Sequence, residues 1–299
     1  MPTRHYTVLE ARGVLALEGE DARTFLQGLV SNDVTKVNPS RAIYAALLSP
    51  QGKFLHDFFI AEHANQLLLD CEKARLPDLK RRLGLYKLRA KVILDDRSET
   101  LVVAALFGED ALGALDLKNE PGAARAFADG VAFVDPRLAA AGARAIAPRN
   151  GLPSAATEAG FAATNMSAYD KARIALGLPD GSRDLEIEKA ILLENGFEEL
   201  NGVDWNKGCY MGQELTARTK YRGLVRKRLM PVKIEGSAPT PGTPVMAGEH
   251  EAGEMRSASD GLGLALLRLD RIEDARAAGI PLLAGMSKLT PCKPAWAKF

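Results

Sequence analysis

Residues 207–214 read Lys-Gly-Cys-Tyr-Met-Gly-Gln-Glu. Two glycines bracket a thiol, a cation stands two residues before it, and an amide and a carboxylate follow within five. Glycine lets the backbone come close to something bulky. A core strand has no use for that mixture; a loop that presents a thiol does. Lys207 precedes Cys209, and Arg218, Lys220 and Arg222 follow it. Positive neighbours favour the reactive thiolate, so Cys209, with Lys207 beside it, is a candidate nucleophile, metal or cluster ligand, or redox-sensitive contact. The competing reading is a buried structural cysteine, one of the most buried residue types. The histidines, at 5, 56, 63 and 250, have no pattern that would partner a cysteine nucleophile.

Around this octet the chain has 299 residues, enough for two domains and for a core that needs no disulfides. Its hydrophobic content of 46% and charged content of 26% are those of a soluble globular protein. A net charge of +1 leaves no global field to recruit nucleic acid or a membrane, so direct nucleic-acid binding is not expected. Cys71, Cys209 and Cys292 lie far apart without zinc or redox spacing, which argues against a disulfide framework and for a reducing compartment. No metal site is expected. Met1-Pro2-Thr3-Arg4-His5-Tyr6 has neither the apolar run of a signal peptide nor an Arg/Ser-rich amphipathic stretch, and no 18-residue apolar segment exists. The reading is a cytoplasmic monomer that does not enter the membrane.

Upstream of the octet, strand and helix patterns alternate. Residues 6–9 and 14–17 are strand-like about a Gly turn, and 20–30 are helical with acidic residues at the start. Residues 43–48, a turn at Ser49-Pro50-Gln51-Gly52, and 54–61 form a hairpin. Further strands are expected at 67–69, 92–94, 101–106, 131–134 and 143–147, and helices over 72–83 and 165–176. This is an α+β pattern with mixed or antiparallel sheet. After Leu229, short apolar runs alternate with Pro and Gly clusters, as in a small β-barrel. The boundary falls near 225–229, giving a first region, 1–225, of two interleaved lobes, and a barrel domain, 226–299.

Four other features are candidates for function. Glu194 follows Ile191-Leu192-Leu193 and precedes Asn195-Gly196, so it can leave an apolar element and face a pocket, or it can be one exposed acid among Glu186, Glu188, Glu198 and Glu199. Arg218, Lys220, Arg222, Arg226, Lys227 and Arg228 put six cations into eleven residues outside any evident helix. The basic run from Lys73 to Lys91 has the leucine spacing of an amphipathic helix, which accounts for it as a solvated face. Asp57, next to His56, faces either a cavity or the outside of an edge strand.

The octet resembles the signature of the YgfZ-type folate-binding proteins, which belong to the superfamily of the glycine-cleavage aminomethyltransferase (T-protein). Gly19 to Asp33, Tyr44 to Asp57 with its Pro50-Gln51-Gly52-Lys53 turn, Arg173-Ile174-Ala175-Leu176-Gly177 and the Glu194 region resemble blocks shared with the T-protein. The resemblance implies a ring of lobes around a central folate-sized hole, with a C-terminal β-barrel. It implies tetrahydrofolate as cofactor, with Glu194 on the pterin and Arg226, then Arg222, on the folate. Tyr210, Gln213 and Asp57 complete the candidate folate-binding set. It also implies support for the assembly or repair of iron–sulfur clusters in client enzymes, including tRNA-modifying ones, with iron–sulfur client or assembly proteins as partners.

One departure bears on chemistry. Where the T-protein has an Asn-rich loop ending in a catalytic Asp, this chain has Asp70-Cys71-Glu72-Lys73-Ala74-Arg75-Leu76-Pro77-Asp78. The catalytic position falls on Pro77 or, after a shift, on Asp78. Without a placed carboxylate, acid–base help for one-carbon transfer is lost. That favours a folate-dependent accessory protein over the alternative, an aminomethyl or one-carbon transferase.

Overall fold

Ile43-Tyr44-Ala45-Ala46-Leu47-Leu48 contains no charged residue to turn towards water, and the fold buries every one of its side chains. In this computed structural model, which describes residues 4–223 and 225–299, that segment is strand β3 (Ile43–Leu48). Met1-Pro2-Thr3, the start of the stretch read above for a leader, lie outside the described residues. Ile43, Ala45 and Leu47 face one core, and Tyr44, Ala46 and Leu48 face another. A strand covered on both faces has no reason to alternate.

The remaining strands are β1 (Arg4–Val8), β2 (Arg12–Glu18), β4 (Phe54–His63), β5 (Gln66–Glu72), β6 (Ile93–Asp96), β7 (Leu101–Gly108), β8 (Ala124–Phe127), β9 (Gly130–Val134), β10 (Ala143–Pro148) and β11 (Ala162–Ala163) before the barrel. Two sheets form, in the orders β3-β4-β5-β2-β6 and β11-β1-β7-β10-β9-β8. The neighbours β1 and β2 do not pair; each joins a different sheet, which interleaves the two lobes. Between the sheets lies the central core, with Tyr44, Phe59, Phe133 and Phe197. Behind the first sheet, helices α1 (Ala22–Gln27) and α2 (Leu76–Lys87) contribute Leu26, Leu79 and Leu83. Behind the second, α3 (Ala111–Ala114) and α4 (Leu152–Glu158) contribute Ala111, Leu152 and Ala156.

The C-terminal strands β12 (Lys227–Glu235), β13 (Pro244–Ala247), β14 (His250–Ser259), β15 (Leu262–Arg268), β16 (Leu282–Ala284) and β17 (Ser287–Pro291) close into a barrel, with α7 (Leu269–Ala278) between β15 and β16. Closure leaves no open sheet edge. Helix α5 (Met166–Ala175) joins barrel to lobes. Asn165 caps it by accepting the Ala168 N–H at 3.0 Å, and Ile174 packs on Leu229 and Leu264. The Trp296 indole N–H donates to the Leu176 carbonyl at 2.7 Å.

One reading of the sequence is corrected. Arg218 and Lys220 lie on a helix, α6 (Gln213–Tyr221). It begins after Gly212, whose φ is 78°, and the only residues it buries fully are Thr216 and Thr219, so it has no apolar period to detect.

Candidate functional site

The octet is fastened on both sides of its cysteine. The Lys207 ammonium donates to the carbonyl oxygens of Gln27 at 2.8 Å, of Asn32 at 2.9 Å, and of Val30. All three N–H groups are thus occupied at the C-terminal end of α1. Burial pushes this ammonium down to about 8, against the pull of Asp33 and Asp204. On the other side, the Met211 N–H donates to the Gly28 carbonyl at 3.1 Å. Gly212 lies so close to the Ser49–Gly52 turn that a Cβ there would sit 2.3 Å from the Ser49 oxygen. Gly52, at φ 81°, meets the Gly212 carbonyl in return. The Tyr210 N–H donates to Gln213 Oε1 at 3.2 Å, and the Tyr210 ring is buried in the central core.

Between these anchors Cys209 is exposed. The structural reading of a buried cysteine therefore fails for Cys209 and describes Cys71, whose thiol burial drives well above its ordinary range. Lys207 holds the loop through carbonyls. Tyr210 and Gln213 are likewise engaged in building the turn.

Glu194 lies in a short 3-10 segment, Leu192–Asn195, half-buried and without a hydrogen bond or ion pair among the described residues. Burial raises its carboxyl, opposed by Lys227, Lys53 and Arg228. It lines a cavity of about 220 Å³ against the barrel, with Asp184, Lys227 and Arg256. The Nε atoms of Arg228 and Arg256 are buried without partners. Glu186, Glu251 and Glu254 also line the cavity, and the unpartnered Glu194 carboxylate is placed to accept from the N–H edge of a heterocycle. The cavity is smaller than the ~300–1,000 Å³ that encloses a whole drug-sized ligand, so it suits one end of such a molecule. The cations acting on Glu194 are thus Lys53, Lys227 and Arg228, whereas Arg226 and Arg222 are exposed.

Asp57 sits elsewhere. Strand β4 lies inside its sheet, which removes the edge-strand reading, and Asp57 is buried. It accepts the Tyr44 hydroxyl at 2.8 Å, and desolvation raises its carboxyl against the pull of Arg12. Around it is a charged centre that sequence reasoning missed. Asp70 accepts from Arg12 at 2.6 Å and from Arg144 Nε at 2.8 Å. Arg137 pairs with Asp135 at 2.7 Å and donates to the Pro179 carbonyl at 2.6 Å. Three of these guanidiniums stack on Phe59, Arg144 at 4.1 Å, Arg137 at 4.9 Å and Arg12 at 5.8 Å. The one available signal was charge inside apolar strands, as at Leu67-Leu68-Leu69-Asp70 and Ala143-Arg144-Ala145.

Asp78 is no free base. It accepts from Arg81 at 2.6 Å, Arg82 at 2.7 Å and His56 Nε2 at 3.0 Å. Those bonds hold its carboxylate well below its usual range despite partial burial. His56 is pushed down to about 4, chiefly by desolvation and the nearby Arg75, so at neutral pH the imidazole is a neutral donor to Asp78. The Glu194 cavity shares no lining residue with the octet or with the Asp57 centre, while Tyr210 of the octet and Tyr44, the donor to Asp57, lie in one core.

Comparison with known proteins places this arrangement. The human mitochondrial iron–sulfur cluster assembly factor IBA57 is 35% identical over 284 residues, covering 89% of this chain and 78% of that protein. The chain belongs to the IBA57 family. The mouse IBA57 protein is 34% identical over 287 residues, with the same shares covered. Residues 226–299 match the family described as the CAF17 C-terminal beta-barrel domain. The glycine cleavage system aminomethyltransferase T of Bartonella henselae superposes with a TM-score of 0.76 over 99% of this chain and 86% of that one, at 15% identity. That likeness shows the fold alone, and it bears out the expected α+β aminomethyltransferase architecture with a terminal barrel. The relatives carry the IBA57 name, a family related to the YgfZ-type proteins that the octet resembles.

Proposed function

We propose that this chain binds a reduced folate through Glu194 and supports assembly or repair of iron–sulfur clusters in client enzymes, tRNA-modifying enzymes among them. Cys209 is the working thiol. The observation that carries the reading is its exposure at the centre of a loop fastened by Lys207, Met211 and Gly212. Family membership supports the cluster role, and the unpartnered Glu194 supports the folate. An iron–sulfur cluster takes roughly four protein ligands. Among the described residues no group of three or more His, Cys, Asp or Glu side chains is placed to hold a metal ion. The cluster is then cargo, met by Cys209 together with ligands from a partner iron–sulfur protein. A bound tetrahydrofolate supplies a one-carbon carrier, and this chain's part is to hold its ring edge at Glu194. We propose a monomer working in a reducing compartment, the cytoplasm. No described helix is long and apolar enough to cross a membrane.

Two measurements test the halves separately. Calorimetry should show tetrahydrofolate binding that weakens about tenfold or more in Glu194→Ala, the scale of one charge-assisted hydrogen bond. Binding that ignores this substitution, or no binding to the wild type, rejects the folate half. In cells that carry only Cys209→Ala, cluster-dependent enzymes should lose activity while folate binding persists. Full client activity there rejects the role of the thiol.

A further inference from the structure

Nine large apolar side chains are exposed among the described residues, and four of them fall within residues 85–93: Leu85, Tyr86, Leu88 and Ile93. Isolated exposed leucines need no explanation, but a cluster does. Tyr86, Leu88 and Ala90, beyond the buried face of α2, stand opposite Phe25 and Leu29 from the α1 side and wall a groove of about 420 Å³. Leu88 is 89% exposed and ends α2 at φ 42° and ψ −109°. Neither backbone preference nor core packing accounts for a leucine held that way.

The rim of the groove is cationic. Asp21 spends its carboxylate on the Lys91 N–H at 2.8 Å. Arg81 and Arg82 are paired with Asp78, and Lys91 with Glu20, whereas Lys87 and Arg89 face the groove with no carboxylate partner among the described residues. The groove also adjoins the thiol. Leu29 follows Gly28, whose carbonyl holds the Met211 N–H, and Met211, like Phe25 and Ala90, packs against the core that includes Leu29. Cys209 is two residues beyond Met211, so the path from Leu29 through Gly28 and the hydrogen bond to Met211 is on the order of 15 Å at ~3.8 Å per step, which bounds its distance from the groove.

We propose that this groove docks the iron–sulfur protein that meets Cys209, taking an apolar side chain between Phe25, Leu29, Tyr86 and Leu88 and an acidic flank on Lys87 and Arg89. The assignment rests on the cluster role argued above. A second copy of this chain is a poorer occupant, because a two-fold contact would set Lys87 and Arg89 against their own counterparts.

A photo-reactive amino acid placed at position 88 of the full chain in cells tests it, with one at Met286, exposed on the barrel, as control. Position 88 should cross-link to an iron–sulfur protein identified by mass spectrometry, and position 286 should not. Adding Lys87→Glu and Arg89→Glu should lower the yield about tenfold, as expected for rim charges that steer encounter. Leu88, Arg89 and Met286 are exposed and Lys87 is half-buried, all outside the core, and an unchanged thermal melt verifies that the fold is kept. Labelling of this chain alone, of RNA, of nothing, or equally from both positions overturns the docking assignment, as does a yield indifferent to charge reversal. If Cys209→Ala spares client enzymes while the cross-link persists, the cluster role falls and the surface stands. If Cys209→Ala harms them and position 88 captures nothing, the surface alone falls.

Discussion

Cys209 and Asp70 occupy opposite kinds of place. The thiol is exposed and its own side chain is needed by none of its neighbours, yet the backbone on either side is fixed by the Lys207 and Met211 bonds. The carboxylate is fully buried, and two guanidiniums depend on it for compensation. In the first, position is set by neighbours, and the reactive atom is free to change without cost to the fold. In the second, the charge is structural: its removal takes the shared carboxylate from both, leaving Arg12 with Asp180 at 3.6 Å and Arg144 with the Tyr169 hydroxyl at 3.1 Å in a buried centre. An exposed thiol on a fixed backbone and a buried shared carboxylate are thus separated in this molecule, and substitutions should sort accordingly.

Asp70→Ala should have the largest effect. Removing the carboxylate that two buried guanidiniums share is expected to cost roughly 3–5 kcal/mol, read as a fall in the urea midpoint. A loss below about 1 kcal/mol would show that water reaches the centre and would erase the contrast. Next comes His56. Its folded pKa of about 4 lies below the unfolded 6.5, so the unfolded chain takes up a proton that the folded chain refuses. Stability present above pH 6.5 is then lost as pH falls towards 4, at about 1.4 kcal/mol per unit and ~3 kcal/mol in all. Below about 4 the paired carboxylates Asp78 and Asp180, both held down in the folded state, add to the loss. His56→Gln should flatten the upper part of that profile, and an identical slope in the variant would reassign it.

Lys207→Met should be milder globally and sharp locally. It leaves three carbonyls without their donor, at about 1–3 kcal/mol, and amide exchange should rise across residues 207–212. Unchanged protection there would mean that Met211 and Gly212 hold the loop alone. Cys209→Ser should be the smallest, within about 0.5 kcal/mol of wild type in stability, as for an exposed side chain. A larger loss would place Cys209 in the structural class with Asp70.

The sequence carried some of this plainly and some not at all. Strands with β-branched and leucine runs, the Ser49–Gly52 turn and the helix that starts at 165 were legible because local chemistry dictates them. The barrel was legible from its Pro and Gly rhythm. Helices α3 and α4 and strand β8 were not, since in an Ala-rich stretch buried and exposed positions look alike. At the candidate site, the octet singled out Cys209, which is exposed, and Lys207 read as a neighbour of the thiol, whereas its ammonium donates to the carbonyls of Gln27, Val30 and Asn32 at and beyond the end of α1. The Asp70 centre was hidden because its partners lie 58 and 74 residues away, and separations of that order leave no periodic trace.

The mutual fit of Gly212 and Gly52 has a practical consequence for anyone wishing to move this loop elsewhere. The eight residues are not a portable peptide. Grafted alone onto another scaffold, they would arrive without the hairpin turn that receives Gly212 and without the α1 end that receives Lys207. The transferable unit is a three-piece cassette, and a synthetic mimic of the octet should be expected to display a thiol but not to aim it.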